Sequence, residues 1–190
     1  MTTDFSTYTD TMLFAVISQS AEQRERAFAE LYARYGQKVY LYCTKVMGNR
    51  HDANDLYQET WIRFHNAALK AETALDNVAG YLFRIARNLC LNKKRDAKKD
   101  LVNFDDFSFG SIDTTLEQKE LSELIARALD ILDDDYRECF VLHEIEGMPY
   151  DELSRITGET VAALKNRVWR ARKQVREFLS PFLHEYTERH

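Results

Sequence analysis

The stretch VAALKNRVWRARKQVR, residues 161–176, combines an apolar stripe with a strong positive charge. It contains six basic residues and no acidic one. Its apolar residues recur at intervals of three and four, which is the spacing of one helix face: Val161, Leu164, Val168, Ala171 and Val175. The pattern predicts an amphipathic helix whose exposed face suits a polyanionic partner.

A short helix is predicted just before this basic helix, in GMPYDELSRITG, residues 147–158. Pro149 suits a first helical turn, where its missing N–H needs no partner, and Gly158 suits the left-handed residue that ends a helix. Thr160 stands where the basic helix needs an N-cap. Two helices joined by a tight turn form a helix-turn-helix, which places its second helix in the major groove of DNA. For a basic helix alone, a solvated face or an acidic protein partner is the alternative, and the capped helix before it favours DNA.

The composition indicates a mostly helical protein of one domain or two small ones. The chain has 190 residues, 45% of them hydrophobic, with only six glycines and two prolines. No apolar run is long enough to span a membrane, and the first residues, MTTDFSTYTD, lack the pattern of a secretory signal. Three cysteines without paired spacing, Cys43, Cys90 and Cys139, suit a reducing compartment. We therefore expect a cytoplasmic protein that is not inserted in a membrane.

The net charge of −5 is unevenly distributed along the chain. Residues 78–100 contain seven basic and two acidic residues, a net charge of +5, whereas residues 112–160 contain fourteen acidic and four basic residues, a net charge of −10. Two basic segments in an acidic chain are compatible with DNA binding, because the acidic parts can face elsewhere.

Three amphipathic helices are predicted in the first half, after an N-terminal segment 1–20 whose first dozen residues are expected to be loose and whose residues 12–17 are compatible with a short helix. The first runs from about residue 21 into the forties and ends at Gly48. The second is capped by Asp52, and the third covers residues 78–94 after a loop at 70–77. The expected inward residues are Phe28, Leu31, Tyr32, Tyr35 and Val39, then Ala53, Leu56, Tyr57, Thr60, Trp61 and Phe64, then Val78, Tyr81, Leu82, Ile85 and Leu89.

A second helical unit is predicted after a linker at 97–115, where the helical periodicity fails. It begins near Leu116 with a stripe of Leu121, Leu124, Ile125, Ala128, Leu129 and Leu132. Asp133 to Asp135 suit the start of the next helix, with Tyr136, Cys139, Phe140 and His143 on its buried face. The expected fold is all-α, with helical domains at 21–96 and 116–180, a flexible linker between them and a polar tail at 181–190.

Both halves together resemble a sigma factor of the extracytoplasmic-function (ECF) group of the sigma-70 family. DANDLYQETWIR, residues 52–63, and GYLFRIARNL, residues 80–89, resemble region 2 of that family. EIEGMPYDEL, residues 144–153, and the basic helix resemble region 4. The resemblance implies a protein that binds core RNA polymerase, recognises the −35 and −10 promoter elements and promotes DNA melting at initiation.

The resemblance also implies roles for individual residues. The polymerase β′ clamp helices would be contacted by Asp52, Asp55, Gln58 and Glu59. The −10 element would be met by Tyr81, Arg84, Arg87, Asn88, Asn92, Lys93 and Arg95, while the loop at 70–77 would hold a base flipped out of the duplex. Tyr81 departs from the tryptophan that is usual in the family, and still packs or stacks.

The −35 element would be met by Lys165, Asn166, Arg167, Trp169, Arg170 and Lys173. Arg and Lys suit guanine edges and Asn suits adenine, whereas Arg167, Arg172, Lys173 and Arg176 suit phosphates. Trp169 lies beside the apolar stripe, so the sequence allows either a position in the core or a position that faces DNA. The acidic, Phe-containing linker is expected to thread a basic polymerase channel as a nucleic-acid mimic.

Two other classes of protein would account for part of the sequence. An enzyme or metal protein would use Cys139 and His143, four residues apart, but no further ligands follow at a recognisable spacing. A response-regulator output domain would share the helix-turn-helix but lack the region 2 segment. We therefore expect no catalytic residue, metal or cofactor. The resemblance adds an anti-sigma factor as a candidate partner, since many members of the group are held by one.

Overall fold

The computed structural model describes residues 4–71, 75–99 and 116–188, and these ranges contain helices and no strand. The helices are α1 (Asp10–Gln19), α2 (Arg24–Met47), α3 (Arg50–Leu69), α4 (Val78–Lys99), α5 (Leu116–Asp130), α6 (Asp134–Phe140), α7 (Tyr150–Thr157) and α8 (Val161–Glu188). A single π-helical turn, Val141–Ile145, continues α6. The described chain divides into two compact units, one with residues 4–43 and 51–99, the other with residues 44–50 and 116–188.

The core of the first unit receives apolar side chains from all four of its helices. The largest that are fully removed from solvent are Leu13, Ile17, Leu31, Val39, Tyr42, Phe64 and Leu82. Each such burial contributes about 1.5–3 kcal/mol, which is why α1 to α4 fold together. Six of the residues expected inside are only partly buried, because they lie at the edges of their stripes: Phe28, Tyr35, Leu56, Tyr57, Tyr81 and Ile85. Tyr32 is 43% exposed.

Residues 5–10 are fixed by contacts with α2, contrary to the prediction that the first dozen residues are loose, whereas α1 covers the short helix expected at 12–17. Arg34 on α2 donates hydrogen bonds to the carbonyl oxygens of Tyr8 (2.8 Å), Ser6 (3.0 Å) and Phe5 (3.3 Å). The same guanidinium forms an ion pair with Asp10 at 2.9 Å. Phe5 is buried, and α1 begins at Asp10 under a Thr9 cap. The prediction was wrong because the anchoring cation lies far along the chain and leaves no local signal.

The turn between α2 and α3 contains Gly48 in the left-handed conformation, at φ +77°. α3 begins at Arg50 rather than after Asp52, so the prediction of Asp52 as its N-cap was wrong. Asp52 lies in the first turn instead, where its negative charge still suits the helix dipole. Its carboxylate forms an ion pair with Lys93 on α4, with Nζ and Oδ1 2.9 Å apart.

α4 begins at Val78, as predicted, and continues to Lys99, so residues 97–99 are helical rather than part of the linker. Residues 100–115, which hold the rest of the predicted linker, lie outside the described residues. Val78, Leu82 and Leu89 are buried as expected.

The second unit is built on α8, against which α5, α6 and α7 pack. Its core includes Leu132, Cys139, Val141, Leu142, Leu153, Leu164 and Val168. α6 begins at Asp134 with Asp133 as its N-cap residue, which agrees with the predicted start of this helix at Asp133 to Asp135. Leu121, expected in the stripe of α5, is 57% exposed, whereas Ala126 is buried. The buried face of α5 therefore differs from the predicted one, since it lacks Leu121 and includes Ala126.

α8 is longer than predicted and passes through Pro181 to Glu188, so residues 181–188 of the predicted tail belong to this helix. All three cysteines are free thiols, and all three are buried. Burial raises the pKa of the Cys139 thiol to about 11. A thiol with that pKa stays protonated near neutral pH and is a poor nucleophile.

Candidate functional site

The α7–α8 pair has the geometry of a helix-turn-helix. Pro149 is the N-cap residue of α7 rather than its first helical residue, and its carbonyl oxygen accepts hydrogen bonds from the backbone N–H groups of Glu152 and Leu153. Gly158 ends α7 in the left-handed conformation at φ +77°. Thr160 Oγ1 then accepts a hydrogen bond from Ala163 N at 3.2 Å, which confirms the predicted cap of α8.

The basic helix has the predicted two faces. Leu164, Val168 and Ala171 are buried, and Val161 and Val175 are partly buried. The side chains on the opposite face are exposed: Lys165, Asn166, Trp169, Arg170 and Lys173. Trp169 is 60% exposed, which excludes the core position and leaves the ring available to a partner.

Three cations of α8 are paired with carboxylates of the same unit, among them Lys173, whose Nζ lies 3.8 Å from Glu177 Oε1. Arg167 Nη2 lies 2.9 Å from Glu159 Oε1 in the turn, and the Arg167 side chain is only 28% exposed. Arg172 Nη2 lies 2.5 Å from Glu144 Oε1, and the hydrogen bond to Glu144 raises the pKa of Arg172. Arg167 was expected at the DNA, but the structure places it between the turn and α8.

An aromatic and cationic group borders the N-terminal part of the exposed face of α8. The rings of His143 and Tyr150 stack at 3.9 Å, and Lys165 Nζ lies 5.7 Å from the centre of the Tyr150 ring. His143 Nδ1 is within 2.8 Å of the Met148 carbonyl oxygen. Among the residues that the structure describes, no three His, Cys, Asp or Glu side chains converge as metal ligands. Cys139 is fully buried, whereas the His143 side chain is 23% exposed.

The four polar residues predicted on α3 do not share one environment. Asp55 and Gln58 are exposed, and Glu59 is partly exposed and paired with Arg63 at 2.6 Å. The Asp52 side chain is only 21% exposed because it is paired with Lys93. Ile62, which is not among the predicted contacts, is 55% exposed one turn after Gln58. The spacing of four from Gln58 was the signal that could have identified it.

The predicted promoter face of α4 contains a row of exposed side chains at helical spacing: Arg84, Asn88, Asn92 and Arg95. Arg87 and Tyr81 are partly buried. Lys93 is exposed but held by Asp52, and the hydrogen bond to that carboxylate raises the pKa of Lys93. The row leaves Arg84 and Arg95 near opposite ends of a polar, cationic stripe.

The beginning of α4 is fixed to the rest of the first unit. Asn77 Oδ1 accepts a hydrogen bond from Gly80 N at 2.7 Å and so caps the helix. The Tyr81 ring lies 6.3 Å from the Phe64 ring, in agreement with the expectation that Tyr still packs at this position. Asn77 was predicted only as the last loop residue, although Asn is a favoured cap.

Comparison with known families identifies two segments of the chain. Residues 31–100 match the family described as "Sigma-70 region 2". Residues 122–175 match the family described as "Sigma-70, region 4". The first segment contains the α3 and α4 faces, and the second contains the helix-turn-helix.

Curated relatives match across both units. The chain is 30% identical over 158 residues to the ECF RNA polymerase sigma factor SigE of Mycolicibacterium smegmatis, which covers 80% of this chain and 61% of that protein. It is 29% identical over 152 residues to the ECF RNA polymerase sigma factor SigM of Bacillus subtilis, which covers 77% of this chain and 91% of that protein.

Solved structures give the same fold. CnrH, in complex with the cytosolic domain of CnrY, is 26% identical with a TM-score of 0.67, over 90% of this chain and 97% of that one. RpoE of Bartonella quintana, in complex with the anti-sigma factor NepR, has a TM-score of 0.70 at 22% identity, over 82% of this chain and 98% of that one. Within the described ranges, no helix combines the length and the hydropathy that crossing a membrane requires.

Proposed function

The chain belongs to the ECF group of the sigma-70 family, and on that premise we propose that it directs core RNA polymerase to promoters. The observation that carries the proposal is the order of the two regions, region 2 at 31–100 before region 4 at 122–175, in one chain. Regulators that share the helix-turn-helix alone do not need a region 2.

Polymerase binding is assigned to the exposed part of α3. Asp55 and Gln58 offer an anionic and a hydrogen-bonding side chain on one face, and the exposed apolar Ile62 follows one turn later. A polar rim around an apolar anchor is typical of protein interfaces. We propose that the β′ clamp helices of the polymerase bind this face and contact Asp55, Gln58 and Glu59. Asp52, which is paired with Lys93, would support the face without contacting the polymerase as closely.

Recognition of the −10 element is assigned to α4. Arg84, Asn88, Asn92 and Arg95 form one exposed row, which suits contacts to phosphates and to base edges. Tyr81 and Arg87 lie at the edge of this row. Holding one base outside the stack costs a few kcal/mol, which phosphate contacts and polymerase binding must offset.

Recognition of the −35 element is assigned to the exposed face of α8. Lys165 and Asn166 stand near the N-terminus of the helix, the part that reaches base edges in a helix-turn-helix. Lys173 is exposed farther along the helix and suits a phosphate. Trp169, with its ring in solvent, offers an apolar contact such as a thymine methyl group.

The proposed mechanism requires no catalytic group and no cofactor of this chain. Binding energy is used to place polymerase at the promoter and to stabilise melted DNA, so the protein acts in the cytoplasm with the polymerase. Because RpoE of Bartonella quintana was solved with an anti-sigma factor, we also propose an anti-sigma factor for this chain. Such a partner would cover the surfaces on α3 and α4 or on α8.

Run-off transcription tests the proposal directly. Core RNA polymerase lacking any sigma factor is given this protein and a pool of templates whose upstream region is randomised. We expect transcripts that start at a fixed distance from two selected elements. Absence of binding to the core polymerase would overturn the proposal.

The same assay separates the rival regulator. A regulator that needs no polymerase would bind duplex DNA from the template pool in the absence of core polymerase, and it would select only one element. The variant Gln58→Ala lies outside the helix-turn-helix. It should lower transcription if the protein is a sigma factor, and it should leave DNA binding unchanged if the protein is a regulator that acts without polymerase.

A further inference from the structure

Tyr150, the first residue of α7, contacts a residue of α8 that is proposed to read DNA. Lys165 Nζ lies 5.7 Å from the centre of the Tyr150 ring. A cation within about 6 Å of the face of an aromatic ring is attracted by the negative electrostatic potential of that face. Tyr150 is not among the residues predicted to meet the −35 element. The contact therefore connects the first helix of the helix-turn-helix to a DNA-reading side chain of the second.

The ring of Tyr150 is itself held in place by its neighbours. It stacks on the His143 ring, with the ring centres 3.9 Å apart and the planes 29° apart. His143 Nδ1 lies 2.8 Å from the carbonyl oxygen of Met148, and Met148 N donates to the carbonyl oxygen of Leu142 at 2.9 Å. Met148 and Leu142 are both buried. Tyr150 is therefore a fixed surface for Lys165 rather than a side chain that follows it.

The contact of Lys165 differs in charge from those of three other cations on α8. Each of these three is paired with a carboxylate, which cancels part of its charge: Arg167 with Glu159, Arg172 with Glu144 and Lys173 with Glu177. Burial raises the pKa of Tyr150, so its hydroxyl stays protonated at neutral pH and the ring stays uncharged. Lys165 is therefore held near Tyr150 with its positive charge uncancelled by that partner.

From these contacts we propose that Tyr150 is a positioning residue for recognition of the −35 element. The proposal rests on the proposed function, in which Lys165 contacts a base edge of that element. A lysine side chain in solvent samples many rotamers, and a contact that selects some of them before binding lowers the entropy cost of the bound state. Tyr150 strengthens the preference of Lys165 for its base in this way, and it needs no contact with DNA of its own.

The test separates the ring of Tyr150 from its hydroxyl. Tyr150→Leu removes the aromatic face, whereas Tyr150→Phe keeps the face and removes the hydroxyl. Holoenzymes with the wild-type protein and with Lys165→Met are first given the randomised template pool. The −35 position at which Lys165→Met flattens the base preference is the Lys165 position. Holoenzyme binding to templates that differ only at that position then gives the base discrimination of each Tyr150 variant.

We expect Tyr150→Leu to reduce base discrimination at the Lys165 position by about twofold to fivefold, which corresponds to one cation–π contact at an exposed site. Tyr150→Phe should retain the discrimination, because it retains the ring. Wild-type discrimination in Tyr150→Leu overturns the proposal, as does a Lys165→Met variant that keeps every −35 preference. A uniform loss of binding by both Tyr150 variants also overturns it, since it would indicate a phosphate contact through the hydroxyl.

A double-mutant cycle shows whether Tyr150 acts through Lys165. In the Lys165→Met background, Tyr150→Leu should leave the affinity for the preferred template unchanged. Lys173→Met provides the matched control background, because Lys173 is an exposed lysine of the same helix with Glu177 as its partner. There Tyr150→Leu should cause its full loss of affinity. Equal losses in the two backgrounds would indicate a general distortion of the helix-turn-helix and overturn the proposal.

Thermal unfolding of each variant accompanies these assays. If Tyr150→Leu is unfolded at the assay temperature, Tyr150→Met, which also lacks a ring, takes its place against the same controls. Failure of the proposed function has a different signature: the wild-type protein itself would select no −35 element with core polymerase.

Discussion

Lys93 and Asp52 form an ion pair that joins α4 to the first turn of α3, with Nζ and Oδ1 2.9 Å apart. The resemblance assigns Asp52 to the polymerase and Lys93 to the promoter, yet in the free protein each has the other as its partner. The Asp52 side chain is 21% exposed and that of Lys93 is 45% exposed. The pair therefore links the two helices that carry the proposed contacts.

A double-mutant cycle measures the strength of this pair. We expect Asp52→Asn and Lys93→Gln to be coupled by about 0.5 kcal/mol in the free energy of unfolding, since half-exposed pairs are weak. The coupling energy should be smaller in about 1 M salt, because salt at that concentration screens exposed charges strongly. Urea unfolding at neutral pH gives the four free energies. If the two substitutions change the free energy of unfolding additively, the ion pair does not stabilise the protein in solution.

The exposed face of α3 should matter more for polymerase than Asp52 does. Gln58→Ala removes an exposed hydrogen-bonding group, and we expect it to weaken core binding by about threefold to tenfold. Gln37→Ala, which alters an exposed glutamine on α2, is the matched control and should bind normally. Titration of a labelled protein with core polymerase reads out both. Equal binding by the two variants would remove α3 from the interface.

Asn166 and Lys173 should affect DNA in different ways. We expect Asn166→Ala to lose discrimination at one or two −35 base pairs by about tenfold, because a base-edge contact carries 1–3 kcal/mol. Lys173→Ala should weaken binding uniformly and reduce the salt slope by about one. The readout is holoenzyme binding to single-base promoter variants at several salt concentrations. A uniform effect of Asn166→Ala would place Asn166 at a phosphate.

Arg167 is expected to stabilise the helix-turn-helix rather than to read DNA. Its guanidinium is largely covered and paired with Glu159 in the turn, so Arg167→Ala should cost about 1–2 kcal/mol of unfolding free energy. Glu159→Gln should cost a similar amount through the same contact. Thermal unfolding measures the structural role of Arg167, and binding of the holoenzyme to promoter DNA measures any role in DNA contact. Normal stability with weaker promoter binding would restore Arg167 as a phosphate contact.

Cys139 should make stability fall at alkaline pH. Burial raises the pKa of this thiol from 9.0 to about 11. Between these values the unfolded thiol loses its proton while the folded one keeps it, so the stabilisation is complete below pH 9 and is lost as pH rises toward 11. Cys139→Ala should show a flatter decline over this range. Equal slopes for the two proteins in urea unfolding would show an ordinary thiol pKa.

Local patterns predicted the helix-turn-helix well, because each of its signals lies within a few residues. The stripe of α8, the left-handed Gly158 and the Thr160 cap all follow from spacing and side-chain chemistry. Trp169 was undecided, since it is one residue from Val168 and lies at the edge of the stripe. Only packing of the other helices against α8 determines which side of that edge is covered.

Contacts between distant residues were not predictable in the same way. Arg34 anchors residues 5–10, and Lys93 pairs with Asp52, although nothing near either cation in sequence indicates its partner. The start of α3 was misplaced for a related reason. Asp52 has the chemistry of a cap, but the left-handed Gly48 already allows the chain to enter the helix at Arg50.

The burial of all three cysteines has a practical consequence for spectroscopy. Maleimide dyes react with accessible thiolates, so the native protein should remain almost unlabelled at neutral pH. One new cysteine at an exposed position of each unit, such as Gln37→Cys and Ser180→Cys, would then carry a fluorophore pair. Energy transfer between the two dyes would follow the separation of the units as polymerase is engaged, without removal of any native residue from the core.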